Sequence, residues 1–270
     1  MALPALEQPA ECRRENARRF VVSLLPGTAV VLLLTFGQWG WAAIVFWTVF
    51  AIIGYGSTIP SSRLFGPHVT ELPEPQTQQN QVWITLDDGP DPVITPLLLD
   101  ILDRHQAKAG FFLIGDRAQK HPDLVREIAK RGHLIGNHSQ THPSANFWIL
   151  RPKRMWAEVA GCQKTLGEIL GTPPTWFRPP VGHHNLFLSP PLRALGLTMA
   201  IWNCRGFDGV IQDPALILEL IGKQLRPGSI ILLHDAVPSG PDVLESTLKL
   251  IQARGLHPAL PEIASPDTRA

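Results

Sequence analysis

Apolar runs that stop at a reactive residue recur along this chain, and that recurrence constrains the fold more than any other feature. Val82–Leu86 is followed by Asp87 and Asp88, His133–Ile135 by His138, and Thr198–Trp202 by Asp208. Thr175–Arg178 ends in its own arginine, and Ser229–Leu233 is followed by His234. With Gly110–Ile114 these make six candidate strands, and a weak seventh lies near Leu256–Leu260. Helical patterns separate them, at Thr95–His105, Pro122–Arg131, Pro152–Leu170, Leu186–Leu195, Ala215–Gln224 and Pro241–Arg254. Each is amphipathic: Leu124, Ile128 and Ala129 share one face, and Arg126, Glu127 and Lys130 the other. Strands alternating with helices give an open doubly wound sheet or a barrel. A barrel gathers every strand's C-terminal end at one mouth, whereas an open sheet joins only those at its switch point. Five strands that end in polar residues therefore favour the barrel.

Ahead of this α/β region the hydropathy changes. From Phe20 to Gly56 no Asp, Glu, Lys or Arg occurs. One membrane helix needs about 20 residues, so this run is too long for one. The Gly37-Gln38-Trp39-Gly40 break divides it into two short membrane helices, with Trp39, Trp41 and Tyr55 near their ends, where interfacial aromatics are favoured. A cleaved signal peptide fits poorly, because the run is long and shows no clear small-residue cleavage site. Arg13, Arg14, Arg18 and Arg19 precede the first segment and hold the N-terminus in the cytoplasm. Two crossings return the rest of the chain to the cytoplasm; one crossing plus an interfacial segment places it outside. The expected organisation is a basic tail at 1–19, a membrane hairpin at 20–56, a Ser/Pro/Gln-rich tether at 57–80, a catalytic domain at 81–263 and a tail at 264–270. With net charge +1 and 17% charged residues, nothing points to a nucleic-acid partner. Cys12, Cys162 and Cys204 match no zinc-knuckle spacing and read as buried thiols.

Three stretches carry chemistry. Asp87 and Asp88 are adjacent carboxylates at a strand end, and something positive, a metal ion or an arginine, must compensate them. Asn137–Pro143 reads NHSQTHP, with His138 and His142 at i, i+4, a spacing that puts both imidazoles on one face of a helical turn. Two histidines plus one carboxylate, with Asp88 the natural third, leave a position open for water, the mark of a catalytic metal site. Phe177–Gly182 reads FRPPVG, where two prolines stiffen the loop that aims Arg178 across the mouth.

In combination, TLDDGPDP, HSQTH, FRPPVG and LLHDA resemble the polysaccharide deacetylase family, carbohydrate esterase family 4, also called the NodB-homology domain, over about Gln81–Ile263. The resemblance implies a distorted (β/α) barrel with fewer than eight complete units, here six to seven strands. It implies that Asp88, His138 and His142 hold a divalent metal, zinc, which polarises the substrate carbonyl and acidifies a bound water. Asp87 becomes the general base, paired with Arg178, and His234 the general acid. The backbone N–H of Val181 stabilises the oxyanion, and Leu232 lines the pocket for the acyl methyl. Asp208 supports His234. The family often has an Asp-x-x-Asp-Trp-like segment there; this chain has Arg205 at the first acid position and Gly209 at the Trp position, which opens one wall of the groove. His183 and His184, next to the RPPVG loop, are surface-loop residues or substrate contacts.

The function expected is therefore a membrane-anchored, metal-dependent hydrolase that removes an N-acetyl group from an amino sugar of a polysaccharide, oligosaccharide or glycolipid. Its partners are an N-acetylated glycan or lipid-linked amino sugar and the lipid of a bacterial plasma membrane. Two alternatives stand beside it: a deacylase or deformylase of a polyprenyl-linked sugar, and a catalytically silent glycan-binding protein.

Overall fold

The computed structural model describes residues 6–262. The first five residues of the basic tail, Ile263 and the 264–270 tail lie outside them. The centre of the fold is β1 (Gln81–Gly89), buried from Val82 to Asp87 because parallel neighbours flank it and both of its faces are covered. Around it stand β2 (Gly110–Leu113), β3 (Leu134–Asn137), β4 (Trp176–Phe177), β5 (Thr198–Met199), β6 (Cys204–Arg205) and β7 (Ile230–His234), in the order β5-β4-β3-β2-β1-β7-β6. A short β8 (His257–Pro258) pairs with the start of β1, and every one of these strand pairings is parallel.

Crossover helices pack on the outer face, among them α4 (Ile94–Arg104), α5 (Gly115–Lys120), α6 (Pro122–Lys130), α7 (Pro152–Leu170), α8 (Ser189–Ala194), α9 (Pro214–Gln224) and α10 (Gly240–Ala253). No helix joins β5 to β6. Residues 200–203 pass from one edge of the sheet to the other. Five Cα steps of about 3.8 Å bring those edges within about 19 Å, so the sheet has to curl. The two edges do not pair with each other, and the expected distorted barrel is a curled half-barrel.

Strand alternation divides β1 between two cores. Ile84 and Leu86 pack outward with Leu98, Leu99 and Leu102 of α4 and with Leu244 and Ile251 of α10. Trp83, Thr85 and Asp87 take the alternate positions. Trp83 joins Phe112 and Trp176 in a second cluster, with its ring centroid 5.1 Å from Trp176 and 5.9 Å from Phe112. Gly110 makes room for this plug: a Cβ there would lie 2.7 Å from the Trp83 indole.

Residues 57–80, expected as a tether, lie against the domain. Val69 bridges to Ala200 just past β5, and Glu71 bridges to Ser229 just before β7, so this segment spans the opening between the two edges. Leu72 is buried there, and α3 (Glu74–Gln78) follows, with Gln76 Nε2 donating to the Leu260 carbonyl at 2.9 Å.

The uncharged run forms an antiparallel pair, α1 (Ala10–Thr35) and α2 (Trp39–Thr58), turned at Gly37 with φ 71°. Both are long and apolar enough to cross a membrane. Leu25, Val31, Trp47 and Phe50 are exposed along them. The charged start of α1, expected as a tail, is helical and packs on the domain: Cys12 contacts the Trp156–Ala160 cluster, and Arg19 Nη1 donates to the Leu186 carbonyl at 2.7 Å. All three cysteines are buried free thiols.

Candidate active site

The C-terminal ends of β1, β3 and β7, with the loops after β4 and β6, line one cavity of about 380 Å³. Two adjacent strand residues ordinarily point to opposite faces. Asp87 and Asp88 reach the same cavity because β1 bulges there: its register against β2 slips between Asp87 and Gly89, and Asp88 takes φ 72°. Arg117 Nη1 donates to the Asp88 carbonyl at 2.7 Å and holds the bulge.

Asp87 is 3% exposed and lies against Arg178, which is fully buried. Arg178 Nη1 donates to Asp87 Oδ1 and Thr85 Oγ1, each at 2.7 Å, and Nε donates to the Ala200 carbonyl at 3.2 Å. Its guanidinium carbon stands 4.1 Å from the centre of the Phe112 ring. Burial pushes this guanidinium's pKa down, and the Asp87 charge opposes the shift.

His138 and His142 both face Asp88, their Nε2 atoms 3.4 and 3.2 Å from its Oδ1. The ligand atoms of the three residues lie within 4.8 Å of one another. His138 Nδ1 meets the Arg178 carbonyl at 2.8 Å. A carbonyl only accepts, so Nδ1 carries a proton and Nε2 is the ring nitrogen turned toward Asp88. Asp88 Oδ1 is buried without a hydrogen-bond partner. Lone pairs converging on an orphaned carboxylate oxygen suit a divalent cation, and these three side chains are the ones that would hold it. Burial and the neighbouring His138 lower the His142 pKa to about 4, which keeps its nitrogen free to ligate.

The His138–His142 segment is not the helical turn expected from its spacing. It is a loop in which Ser139 and His142 take φ 65° and 53°. Two residues with no assigned part in the sequence pattern hold it. Buried Asn137 accepts from the Ser139 N–H at 3.0 Å and donates to the Val159 carbonyl at 2.9 Å. Glu158, fully buried on α7, accepts from Thr141 N and Oγ1 at 2.9 and 2.7 Å. The available signal for Glu158 is a lone carboxylate on the apolar face of α7.

Across the cavity, His234 Nδ1 lies 2.9 Å from Asp208 Oδ1, and the His234 N–H donates to Asp208 Oδ2 at 2.7 Å. Burial lowers the imidazole pKa, but the Asp208 hydrogen bond and charge prevail and raise it to about 9. Val181, at φ 55°, and buried Leu232 also line the cavity, as do Arg205 and Gly209. A Cβ on Gly209 would come 3.4 Å from His234 Cε1, so the small residue leaves that imidazole uncovered. His184 is buried 5.1 Å from the His68 ring, and neither it nor His183 lines the cavity.

A half-barrel whose strand ends gather an Asp-His-His cluster, an arginine-bound aspartate and an aspartate-bound histidine has the architecture of a carbohydrate esterase family 4 site. Residues 74–200 match the polysaccharide deacetylase family model, and the chain belongs to that family. It is 35% identical over 161 residues to a chitooligosaccharide deacetylase of Azorhizobium caulinodans, covering 59% of this chain and 76% of that protein. It is 29% identical over 187 residues to the peptidoglycan-N-acetylglucosamine deacetylase PgdA of Listeria monocytogenes, and spans 39% of that relative's length. Among solved structures, the family 4 carbohydrate esterase from Streptomyces lividans in complex with acetate superposes with a TM-score of 0.63 at 30% identity, covering 70% of this chain and 95% of that one. Peptidoglycan deacetylase PdaC from Bacillus subtilis superposes at 0.62 and 28% identity, covering 67% and 88%.

Asn137 touches none of the three ligand atoms, yet it fixes the loop that carries two of them. Asn137→Ala is expected to lower affinity for added zinc by about 10- to 100-fold, as loss of an outer-shell partner typically does, with circular dichroism unchanged. Wild-type affinity in a folded variant would remove Asn137 from the site.

Proposed function

We propose that this protein is a membrane-anchored, metal-dependent hydrolase that removes the N-acetyl group from an amino sugar of a glycan or glycolipid. The observation that carries the reading is the Asp88–His138–His142 cluster, set between a carboxylate held by arginine and an imidazole held by a carboxylate. When bound there, a divalent cation, zinc by its suitability for two imidazoles and one carboxylate, supplies Lewis-acid activation of the acetyl carbonyl and of water. The residues of this chain do the rest. Asp87, oriented by Arg178, takes a proton from the attacking water as the new C–O bond forms. The Val181 N–H meets the charge that develops on the carbonyl oxygen, and Leu232 packs on the acetyl methyl. His234, protonated and supported by Asp208, gives its proton to the amine nitrogen as the C–N bond breaks. The products are acetate and a free amine. A silent glycan-binding role is less well supported, because ligand set, base and acid are all in place.

The full-length protein in detergent should release acetate from an N-acetylglucosamine oligomer, lose this activity to a chelator and regain it with zinc. Asp87→Asn should keep its metal while kcat falls roughly 10²- to 10⁴-fold. Near-wild-type turnover in that variant would overturn the assignment of the base.

The acid assignment has a pH signature. The folded pKa of His234, about 9, lies above the ordinary 6.5. Its proton is therefore fully in place below the ordinary value and is lost as pH rises through the folded one. Asp208→Asn removes the charge that raises it, so the basic limb of the kcat/KM profile should move to lower pH. An unmoved limb would exclude Asp208 from this part.

We read residues 20–56 as a two-pass hairpin in a bacterial plasma membrane and 81–263 as the catalytic domain. The charged start of α1 packs on α7 and α8, which supports placing the catalytic domain on the same face as Arg13, Arg14, Arg18 and Arg19, the cytoplasmic one. Protease added to sealed right-side-out vesicles should leave the domain intact and digest it only after lysis. Digestion without lysis would place it outside.

A further inference from the structure

Arg205 has no part in the chemistry above, yet it stands in the wall of the catalytic cavity. The same side chain, with Trp202 and Phe207, also lines a second cavity of about 500 Å³. The far side of that second cavity is Pro60, Ser61 and Arg63, the residues that follow directly on the end of α2 at Thr58. A continuous surface thus leads from the Asp-His-His cluster, past Arg205, to the point where the hairpin joins the domain.

The Arg205 guanidinium is held ready but unused. Its carbon lies 3.6 Å from the Phe207 ring centre and 5.5 Å from that of Trp202. Stacking on aromatic faces leaves the in-plane N–H groups free. Gln224 anchors the backbone on both sides, accepting from the Arg205 N–H at 3.3 Å and donating to its carbonyl at 2.8 Å. Asp208, the acid whose charge acts on this guanidinium, has both oxygens engaged by His234 and makes no hydrogen bond to it. Arg205 Nε is buried with no hydrogen-bond partner. Its terminal Nη groups, which make no hydrogen bond among the described residues, are the donors that can receive an oxyanion from the cavity, and planar pairing suits phosphate.

We propose that Arg205, aided by Arg63 across the second cavity, binds the phosphate of an amino-sugar substrate that is joined through that phosphate to a membrane lipid. The inference rests on the deacetylase reading above and names its substrate class. The acetamide lies at the Asp-His-His cluster, the phosphate at Arg205, and the lipid leaves past Pro60 and Arg63 toward the hairpin.

The test compares three probes on the full-length protein in one detergent: farnesyl N-acetylglucosaminyl phosphate, farnesyl N-acetylglucosaminide without phosphate, and N-acetylglucosamine 1-phosphate without lipid. Equilibrium binding, read by tryptophan fluorescence, and acetate release are both followed. The phosphate-linked lipid should bind at least about tenfold more tightly than either of the other two. Arg205→Gln should weaken that binding roughly 10- to 100-fold, the range for a charge-assisted hydrogen bond, while changing affinity for the neutral glycolipid less than about twofold. Arg205→Lys should recover part of the loss. Equal weakening of both glycolipids by Arg205→Gln, or no preference for phosphate in the wild type, would overturn the subsite. Equal affinity for the sugar phosphate lacking lipid would overturn the lipid half of the proposal. Phosphate-dependent binding without acetate release would refute the deacetylase reading and leave the subsite standing.

Discussion

The buried Arg178 ties the two halves of this site together. Its side chain holds Asp87 and reaches the Ala200 carbonyl beyond β5, while its own carbonyl receives the Nδ1–H of His138. One residue therefore orients both the carboxylate beside the reaction centre and one arm of the metal cluster. The guanidinium rests on Phe112, which belongs with Trp83 and Trp176 to the aromatic plug of the half-barrel. Losing either member of such a buried ion pair costs about 3–5 kcal/mol, because the other charge is left without compensation. The site thus inherits its geometry from the floor beneath it.

Environment, more than residue type, distributes the chemical parts. Three carboxylates meet at the mouth with different partners: Asp87 an arginine, Asp88 two imidazoles, Asp208 one imidazole and a backbone N–H. Two histidines of the same cavity are driven apart in pKa, His142 to about 4 by burial and His138, and His234 to about 9 because Asp208 overrides its burial. Such separation places a neutral imidazole and a protonated one in the same cavity near neutral pH. Arg205 adds a cation that no carboxylate among the described residues contacts directly, although the Asp208 charge acts on it. The wall it occupies is where this chain departs from the Asp-x-x-Asp-Trp-like pattern, and that departure leaves Asp88, His138, His142 and the Asp208–His234 pair in place.

Much of the α/β order was legible in the residues. The α7 pattern was expected at Pro152–Leu170, its observed span, and β1, β2, β3 and β7 were found within a few residues of expectation. Cys204–Arg205 was missed as a strand, because two residues between a loop and a turn carry no periodicity. The 57–80 segment has no pattern of its own either, and its place in the opening of the sheet comes from bridges to Ala200 and Ser229. The motifs around Asp87, His138, Arg178 and His234 could be read directly. Asn137 and Glu158 could not, since the hydrogen bonds that matter join the loop after β3 to α7, about twenty residues further along the chain.

By itself, the sequence determined which segments are strands, which stretch is apolar enough for lipid, and which residue types end each strand. Those are local properties of side-chain volume, polarity and spacing. Tertiary structure decided how the strand ends converge: the bulge that turns Asp88 beside Asp87, the loop in place of a helical turn at His138–His142, and the four-residue crossing that curls the sheet without closing it. Each depends on hydrogen bonds between residues far apart in the chain, and pattern along a chain holds no record of those.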